Sequence, residues 1–388
     1  MKPDTLITHA GLDPEANYGI VNPPVYHCST VIFPDVATVL ETRKDRHSGE
    51  FKQITYGREG TPLTRAFEKA MASLEGGQTA VTLPCGMGAI ATSLLAFLES
   101  GDHLLMVDAV YGPARDFAEN ALRRLGIEVE FYDPLIGSGI SRLIRANTAV
   151  VYLESPCSLT FEVQDVPAIV AAAKKRDVKV VMDNTWASPL YFNAIGHGVD
   201  VSIHAATKYL SGHSDLMLGV AITTPAVDIA VRKTASRFGY CAGPDDVYAA
   251  LRGMRTLGLR MRAHQENALK VSRWLQTRPE VDRVLYPALP EDPGHALWQR
   301  DFRGASGLLG VILKKDFSDE DAAKMLDALE LIGLGYSWGG FESLAVPTYP
   351  QQLRSATKWA SGPSFRLHVG LEDSEDLVAD LAQALARL

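Results

Sequence analysis

Cysteine is scarce in this 388-residue chain, and its four copies, Cys28, Cys85, Cys157 and Cys241, lie far apart with no C-x-x-C pair among them. That dispersal argues against a disulfide framework or a zinc knuckle and suits a reducing compartment. Long apolar runs are lacking too. No stretch is long enough to span a bilayer, and the opening "MKPDTLITHAG" has no apolar signal segment, so a cytoplasmic protein with no membrane partner is expected. Clustered basic charge is also missing: 38 Lys and Arg stand against 46 Asp and Glu, scattered, for a net charge of −8. Nothing there forms the electrostatic footprint of a nucleic-acid binder. Internal repeats and low-complexity segments are absent as well.

What is present is an ordinary globular composition, 46% hydrophobic and 22% charged. The length exceeds that at which one core usually stops growing, so two domains are expected. Residues 1–60 are rich in turn formers and poor in periodicity, and are read as an extended arm contacting a neighbouring subunit. From Gly77 onward, short apolar runs ("TAVTL", "HLLMVD", "EVEFYD", "TAVVYLES", "VKVVMDN", "VSIHAA", "GVAITT") are mostly separated by helical spacing such as "MGAIATSLLAFLE" and "VPAIVAAAKKRD". This alternation predicts an α/β domain over 61–250, its largely parallel sheet covered by helices on both faces and its ligand sites at the carboxyl ends of the strands. One long helical pattern after Gly243 leads into a smaller α+β domain over 251–388, with strands at "VDRVLYP", "GLLGVILK" and "FRLHVGLE".

Three features fall at strand ends. In "TLPCGMGAIATSLLAF" a helix opens near Gly86 and Met87, where unsatisfied N–H groups and the helix dipole favour a phosphate. Taken alone this Gly-x-Gly is more simply a tight turn. "VKVVMDN" ends on Asp183, a costly place for a carboxylate unless a cation or strong donor meets it, although a helix cap or turn serves as well. In "HAATKYLSGHSD" Lys208 ends the next strand. Phosphate cradle, carboxylate and lysine on one sheet edge are what a pyridoxal 5'-phosphate site needs. A lysine desolvated near other cations has a lowered pKa, which favours the free amine. His204, His213 and Asp215 match no established ligand pattern, so structural hydrogen bonding is preferred to a metal, and no metal is expected.

"DVSIHAATKYLSGHSD", together with "TYGREGTPLTRAFEKAMASLEGG", "VDAVYGPARDF", "ESPCSLTFEVQDVPAI", "MDNTWASP", "LRGMRTLGLRMRAH" and "RLHVGLED" in order, resembles the Cys/Met-metabolism family of fold type I pyridoxal-phosphate enzymes over nearly the whole chain. The resemblance implies a mostly parallel seven-stranded sheet. It implies Lys208 as the Schiff-base lysine, Asp183 as partner of the pyridine nitrogen, and Tyr111 stacked on the ring. Gly86, Met87 and Thr207 would hold the phosphate, joined by Tyr56 and Arg58 of a neighbouring subunit in a homotetramer built as a dimer of dimers. Arg366 would bind the substrate α-carboxylate, with Tyr336, Ser337, Trp338 and Tyr240 on the substrate side. Many relatives have serine where Ala205 stands, which removes one hydroxyl donor from the phosphate.

Within the family, "ESPCSLTFEVQDVP" and "YSWGGFESL" most resemble the carbon–sulfur β-lyase members, which implies cleavage of L-cystathionine to L-homocysteine, pyruvate and ammonia, a step of methionine biosynthesis. Core filling is open to Trp338, but the flanking glycines suggest a turn that carries it into a cleft, so a substrate wall is preferred. A γ-lyase or γ-synthase on the same scaffold, or a broader cysteine-S-conjugate β-lyase, is the alternative. A non-catalytic binding protein has no need of Lys208, Asp183, Tyr111 and Arg366 together. An aminotransferase is disfavoured because no partner motif for a second carboxylate follows Arg366.

Overall fold

In a computed structural model of the chain, residues 1–48, 53–76 and 79–388 are described; residues 49–52, within the stretch read as an arm, and 77–78 lie outside the described residues. All seven apolar runs are strands: β1 (Thr79–Leu83), β2 (His103–Val107), β3 (Glu128–Tyr132), β4 (Thr148–Glu154), β5 (Lys179–Asp183), β6 (Val201–Ala205) and β7 (Gly219–Thr223). They form one sheet in the order β1-β7-β6-β5-β4-β2-β3. Pairings from β3 to β6 are parallel, whereas β7 runs antiparallel to both β6 and β1. Antiparallel to both its neighbours, β7 leaves β1 running the same way as β6, so both end at the same edge as β2, β4 and β5. The start of helix Gly86–Leu95 thereby lies beside the end of β6.

The central strands are apolar throughout because both faces are covered. Val180, Val181 and Met182 of β5 are fully buried, and each such side chain contributes roughly 1.5–3 kcal/mol relative to exposure. Helix Pro62–Leu74 shows how a covering helix is specified. Thr61 accepts the Thr64 N–H as its cap, Pro62 occupies the first turn, and Leu63, Phe67, Ala70 and Met71 fall on the buried stripe.

A second sheet contains β8 (Val281–Leu285), β9 (Leu308–Leu313), β10 (Gly333–Leu334), β11 (Leu344–Thr348) and β12 (Ser364–His368), in the order β10-β11-β12-β9-β8. Three of these strands were legible. Pro347 obscured β11, since proline argues against an interior strand. It is tolerated because β10 pairs only Leu344 and Ala345, leaving β11 an edge at Pro347. The single long helical pattern is two helices, Pro244–Met254 and Leu257–Gln276. At the break, Arg255 donates to the carbonyls of Ile7 and Ala10 at 2.6 and 2.9 Å.

The N-terminal stretch is not extended throughout: helices occupy Pro3–His9 and Val36–Ser48. The first packs on its own chain through buried Ile7. Beyond it, Tyr18, Ile32 and Val36 are 99%, 91% and 72% exposed, an apolar display that an isolated chain leaves uncovered.

Candidate active site

Lys208 sits in the hydrogen-bonded turn that follows β6. Its N–H donates to Ala205 O at 3.0 Å and its carbonyl accepts from Gly212 N at 2.9 Å. Buried Arg260 fixes the turn by donating to the carbonyls of Tyr209 and Leu210 at 2.7 and 3.3 Å. The neighbouring Tyr209 ring is buried, and its hydroxyl accepts the Gly307 N–H at 3.0 Å. Lys208 itself lines a cavity of about 210 Å³ between the two sheets.

In that cavity Lys208 Nζ donates to Ser337 Oγ at 2.7 Å and lies 5.2 Å from the centroid of the Trp338 ring. Burial, then the Arg366 guanidinium, push the ammonium from its usual 10.5 to about 8, against the opposing pull of Asp183. Asp183 ends β5 one strand away. Its Oδ1 accepts from Thr185 N at 2.9 Å and Thr185 Oγ1 at 2.5 Å. Burial nevertheless holds this carboxyl above the ordinary range. Glu154, in register with Asp183 at the end of β4, accepts the Tyr111 N–H at 2.7 Å. Burial and the adjacent Asp183 push its carboxyl well up.

Tyr111 stands at the cavity wall, its phenol pushed up by burial and then by Asp183 and Glu154. Across the cavity Arg366, on β12, donates through Nη2 to the carbonyls of Tyr336 and, at 3.3 Å, Ser337. Burial lowers its guanidinium to about 10. Gly86 and Met87 open the helix on the floor, where Cys85 Sγ takes the Gly88 N–H at 3.3 Å. The Thr207 hydroxyl, also lining the cavity, accepts from Leu218 N at 3.0 Å and donates to Leu218 O at 3.2 Å.

One chain thus brings together Lys208, Asp183, Tyr111, Gly86, Met87, Thr207, Arg366, Ser337 and Trp338. Four other expected residues are not among the lining of this cavity. Arg58 donates to Ser236 O at 2.9 Å and shares a separate cleft with Tyr240. Tyr56 is half exposed near Ser29, and the Tyr336 side chain is 90% exposed. His204 bonds buried Glu75 at 2.8 Å, and His213 Nδ1 bonds Ser211 O at 2.6 Å.

Glu154 and Thr185 were missed by sequence reasoning. Glu154 carries the same signal as Asp183, an acid closing an apolar strand. Thr185 lies two residues after a strand-end aspartate, where a hydroxyl readily bonds back to it. Here it accepts the Ala205 N–H at 2.9 Å as well as donating to Asp183.

The model of the Cys/Met metabolism PLP-dependent enzymes matches residues 4–386. The chain belongs to that family. It is 43% identical to "Cystathionine beta-lyase MetC" of Escherichia coli (strain K12), over 100% of this chain and 99% of that protein. It is 39% identical to "L-alanine/L-glutamate racemase" of Wolbachia pipientis wMel, over 100% of this chain and 98% of that protein. Among solved structures, that of metB from Corynebacterium glutamicum superposes with a TM-score of 0.91 at 30% identity, covering 100% of this chain and 98% of that one. The fold is therefore that of the fold type I enzymes.

As a member of this family the enzyme uses pyridoxal 5'-phosphate, and the cavity fits it. Asp183 is a carboxylate whose burial calls for a cationic partner, as a protonated pyridine nitrogen is. A Cβ on Gly86 would lie 2.9 Å from the Ala205 Cβ, so only glycine leaves this floor open at the helix N-terminus. The Lys208 amine, lowered to about 8, has a lone pair to offer a carbonyl carbon.

Proposed function

We propose that this member of the family is a carbon–sulfur β-lyase converting L-cystathionine and water to L-homocysteine, pyruvate and ammonia. The observation that carries the reading is the Lys208 amine held on Ser337 beneath Trp338, in one cavity with Asp183 and Arg366. The likeness to the Escherichia coli protein named as a cystathionine beta-lyase supports this choice among family activities. Pyridoxal phosphate, when bound, supplies the electron sink that stabilises negative charge at the substrate Cα.

The protein's own groups do the rest. Lys208 would hold the cofactor through its amine and, as the free base, would take the substrate Cα proton and give one to the departing sulfur. Asp183 would pair with the cofactor's pyridine nitrogen, Tyr111 would lie against its ring, and Gly86, Met87 and Thr207 would hold its phosphate. Arg366 takes the α-carboxylate through paired donors. Trp338 would confine the distal part of the substrate in the one orientation that β-elimination needs, whereas γ-elimination needs a second proton removed from Cβ and room for the side chain to turn. Quantifying pyruvate, 2-oxobutyrate and free thiol from L-cystathionine tests the reading. Pyruvate and thiol in equal amounts are expected. Predominant 2-oxobutyrate would establish a γ-lyase, and inverted substrate without keto acid a racemase. In the same assay Trp338→Ala should lose roughly a hundredfold in kcat/KM, the scale of a misplacement of about 1 Å.

The working unit in this reading is a homotetramer of two dimers, each site completed by Tyr56 and Arg58 from the neighbouring subunit, with Tyr240 on the substrate side. Support comes from the separation of Arg58 and Tyr240 from the Lys208 cavity within one chain, and from the exposed apolar residues of the N-terminal stretch. Closed point-group symmetry accommodates such mutual completion. Mixed Arg58→Ala and Lys208→Ala chains, each inactive alone, should recover up to about a quarter of wild-type activity on subunit exchange, since some hybrid sites inherit neither lesion. No recovery with exchange demonstrated by mass would refute shared sites. Four unpaired cysteines fit a cytoplasmic location.

A further inference from the structure

His368 ends β12 two residues after Arg366, so both side chains leave the same face of that strand. Both reach one turn. Arg366 Nη2 holds the carbonyls of Tyr336 and Ser337, and His368 Nε2 accepts the Gly339 N–H at 3.1 Å. One strand face therefore grips the two ends of the segment that carries Ser337 and Trp338. The far end rests on the lysine itself. Gly339 has φ +84°, and a Cβ there would lie 2.7 Å from Tyr209 N and 2.9 Å from the Lys208 carbonyl carbon. The height of this turn over Lys208 is thus set by backbone contact on one side and by His368 on the other.

We propose that His368 is a positioning residue for the reaction, fastening the Tyr336–Gly340 turn to β12 so that the Ser337 hydroxyl and the Trp338 ring stay against the Lys208 amine. The inference rests on the assignment of Lys208 as the reacting amine. The two fastenings differ in kind. Arg366 is the group that takes the substrate carboxylate, so its hold on the turn is shared with the ligand; the His368 hold is not.

Nε2 is the nitrogen that holds the turn. With the proton on Nδ1 it accepts the Gly339 N–H, and with the proton on Nε2 it donates to Gly340 O at 3.2 Å. Nδ1 has no hydrogen-bond partner among the described residues, so in either tautomer the imidazole's hydrogen bonding is directed at the turn. Around it, the His264 ring at 5.3 Å and the Tyr209 ring at 5.8 Å pack the imidazole. With burial, and with His264, Arg366 and Lys208 nearby, it remains neutral.

Substitution can separate packing from the hydrogen bond. His368→Phe keeps a ring against Tyr209 and His264 but removes the acceptor. His368→Gln places a carbonyl oxygen near the former Nε2. Two readouts apply: the pH dependence of Lys208 acetylation in the apoprotein, followed by mass spectrometry, and kcat and KM of the holoenzyme on L-cystathionine. In His368→Phe the Lys208 midpoint should rise by about one pH unit as the amine gains solvent, and kcat should fall about ten- to a hundredfold, more than KM changes. His368→Gln should restore both to within about threefold, which a packing role would not do. Wild-type values in His368→Phe would reduce His368 to a core residue and overturn the proposal. If the Phe variant does not fold, Gln against Asn decides: Asn is too short to reach Gly339, and equal behaviour of the two refutes the assignment. The apoprotein titration needs no substrate, so it stands or falls separately from the β-lyase reading.

Discussion

Lys208→Ala should lower turnover by at least about a thousandfold and yield a colourless protein, without the visible absorbance of lysine-bound pyridoxal phosphate. The magnitude follows from the two duties assigned to one amine. A positioned general base alone is worth roughly 10²–10⁴, and removing the covalent anchor adds to that loss. The wild-type amine makes its own prediction. At about 8 its pKa lies well below the usual 10.5, so the nucleophilic free base is the majority form above about pH 8 and a tenfold smaller fraction for each unit below. Covalent capture of pyridoxal phosphate by the apoprotein, followed by stopped-flow absorbance, should therefore climb with pH and level off near 8. An exposed lysine would keep climbing to about 10.4. Capture that still rises beyond pH 9.5, or a borohydride-reducible link retained in Lys208→Ala, would place the anchor elsewhere.

Why the lysine was legible and its supports were not is a matter of sequence distance. Each strand of the first sheet is a short apolar run bounded by polar residues; Asp183 closes β5, and Lys208 lies three residues past the end of the neighbouring β6, in the turn rather than on the strand. Pattern alone puts them on one edge. Glu154 closes a strand in the same way, but its partner is the Tyr111 N–H, 43 residues upstream. No local signal announces that bond. His368 is hidden differently: it reads as one more inward residue of "FRLHVGLE", and its value depends on a glycine turn 29 residues earlier. Trp338 could not be separated from core filling by sequence. In the structure it does both, packing at 5.5 Å against the buried Tyr209 ring while lining the cavity beside Lys208. Tyr56, Arg58 and Tyr240 came only from family resemblance, and within one chain they lie outside the lining of the cavity.

Arg366→Ala should lower kcat/KM by about 30-fold to several thousandfold, the equivalent of the roughly 2–5 kcal/mol lost when one partner of a buried, hydrogen-bonded charge pair is truncated. The environment places the effect in that range. Burial lowers the guanidinium to about 10, a sign of how little water solvates it. A carboxylate arriving there meets a poorly screened cation that presents paired N–H donors. Lysine is a poor substitute, since its ammonium cannot form the planar two-point contact. Arg366→Lys should accordingly recover only part of the loss. A second effect must be kept apart from this one, because Arg366 also holds the Tyr336 and Ser337 carbonyls. Comparing a carboxylate-bearing inhibitor with its decarboxylated amine separates the two. If the guanidinium acts on the carboxylate, Arg366→Ala weakens the first severely and leaves the second within about threefold of wild type, the difference being the charge-assisted pair itself. Equal weakening of both would mean that Arg366 serves the site through the turn alone, and that the carboxylate is bound by another group.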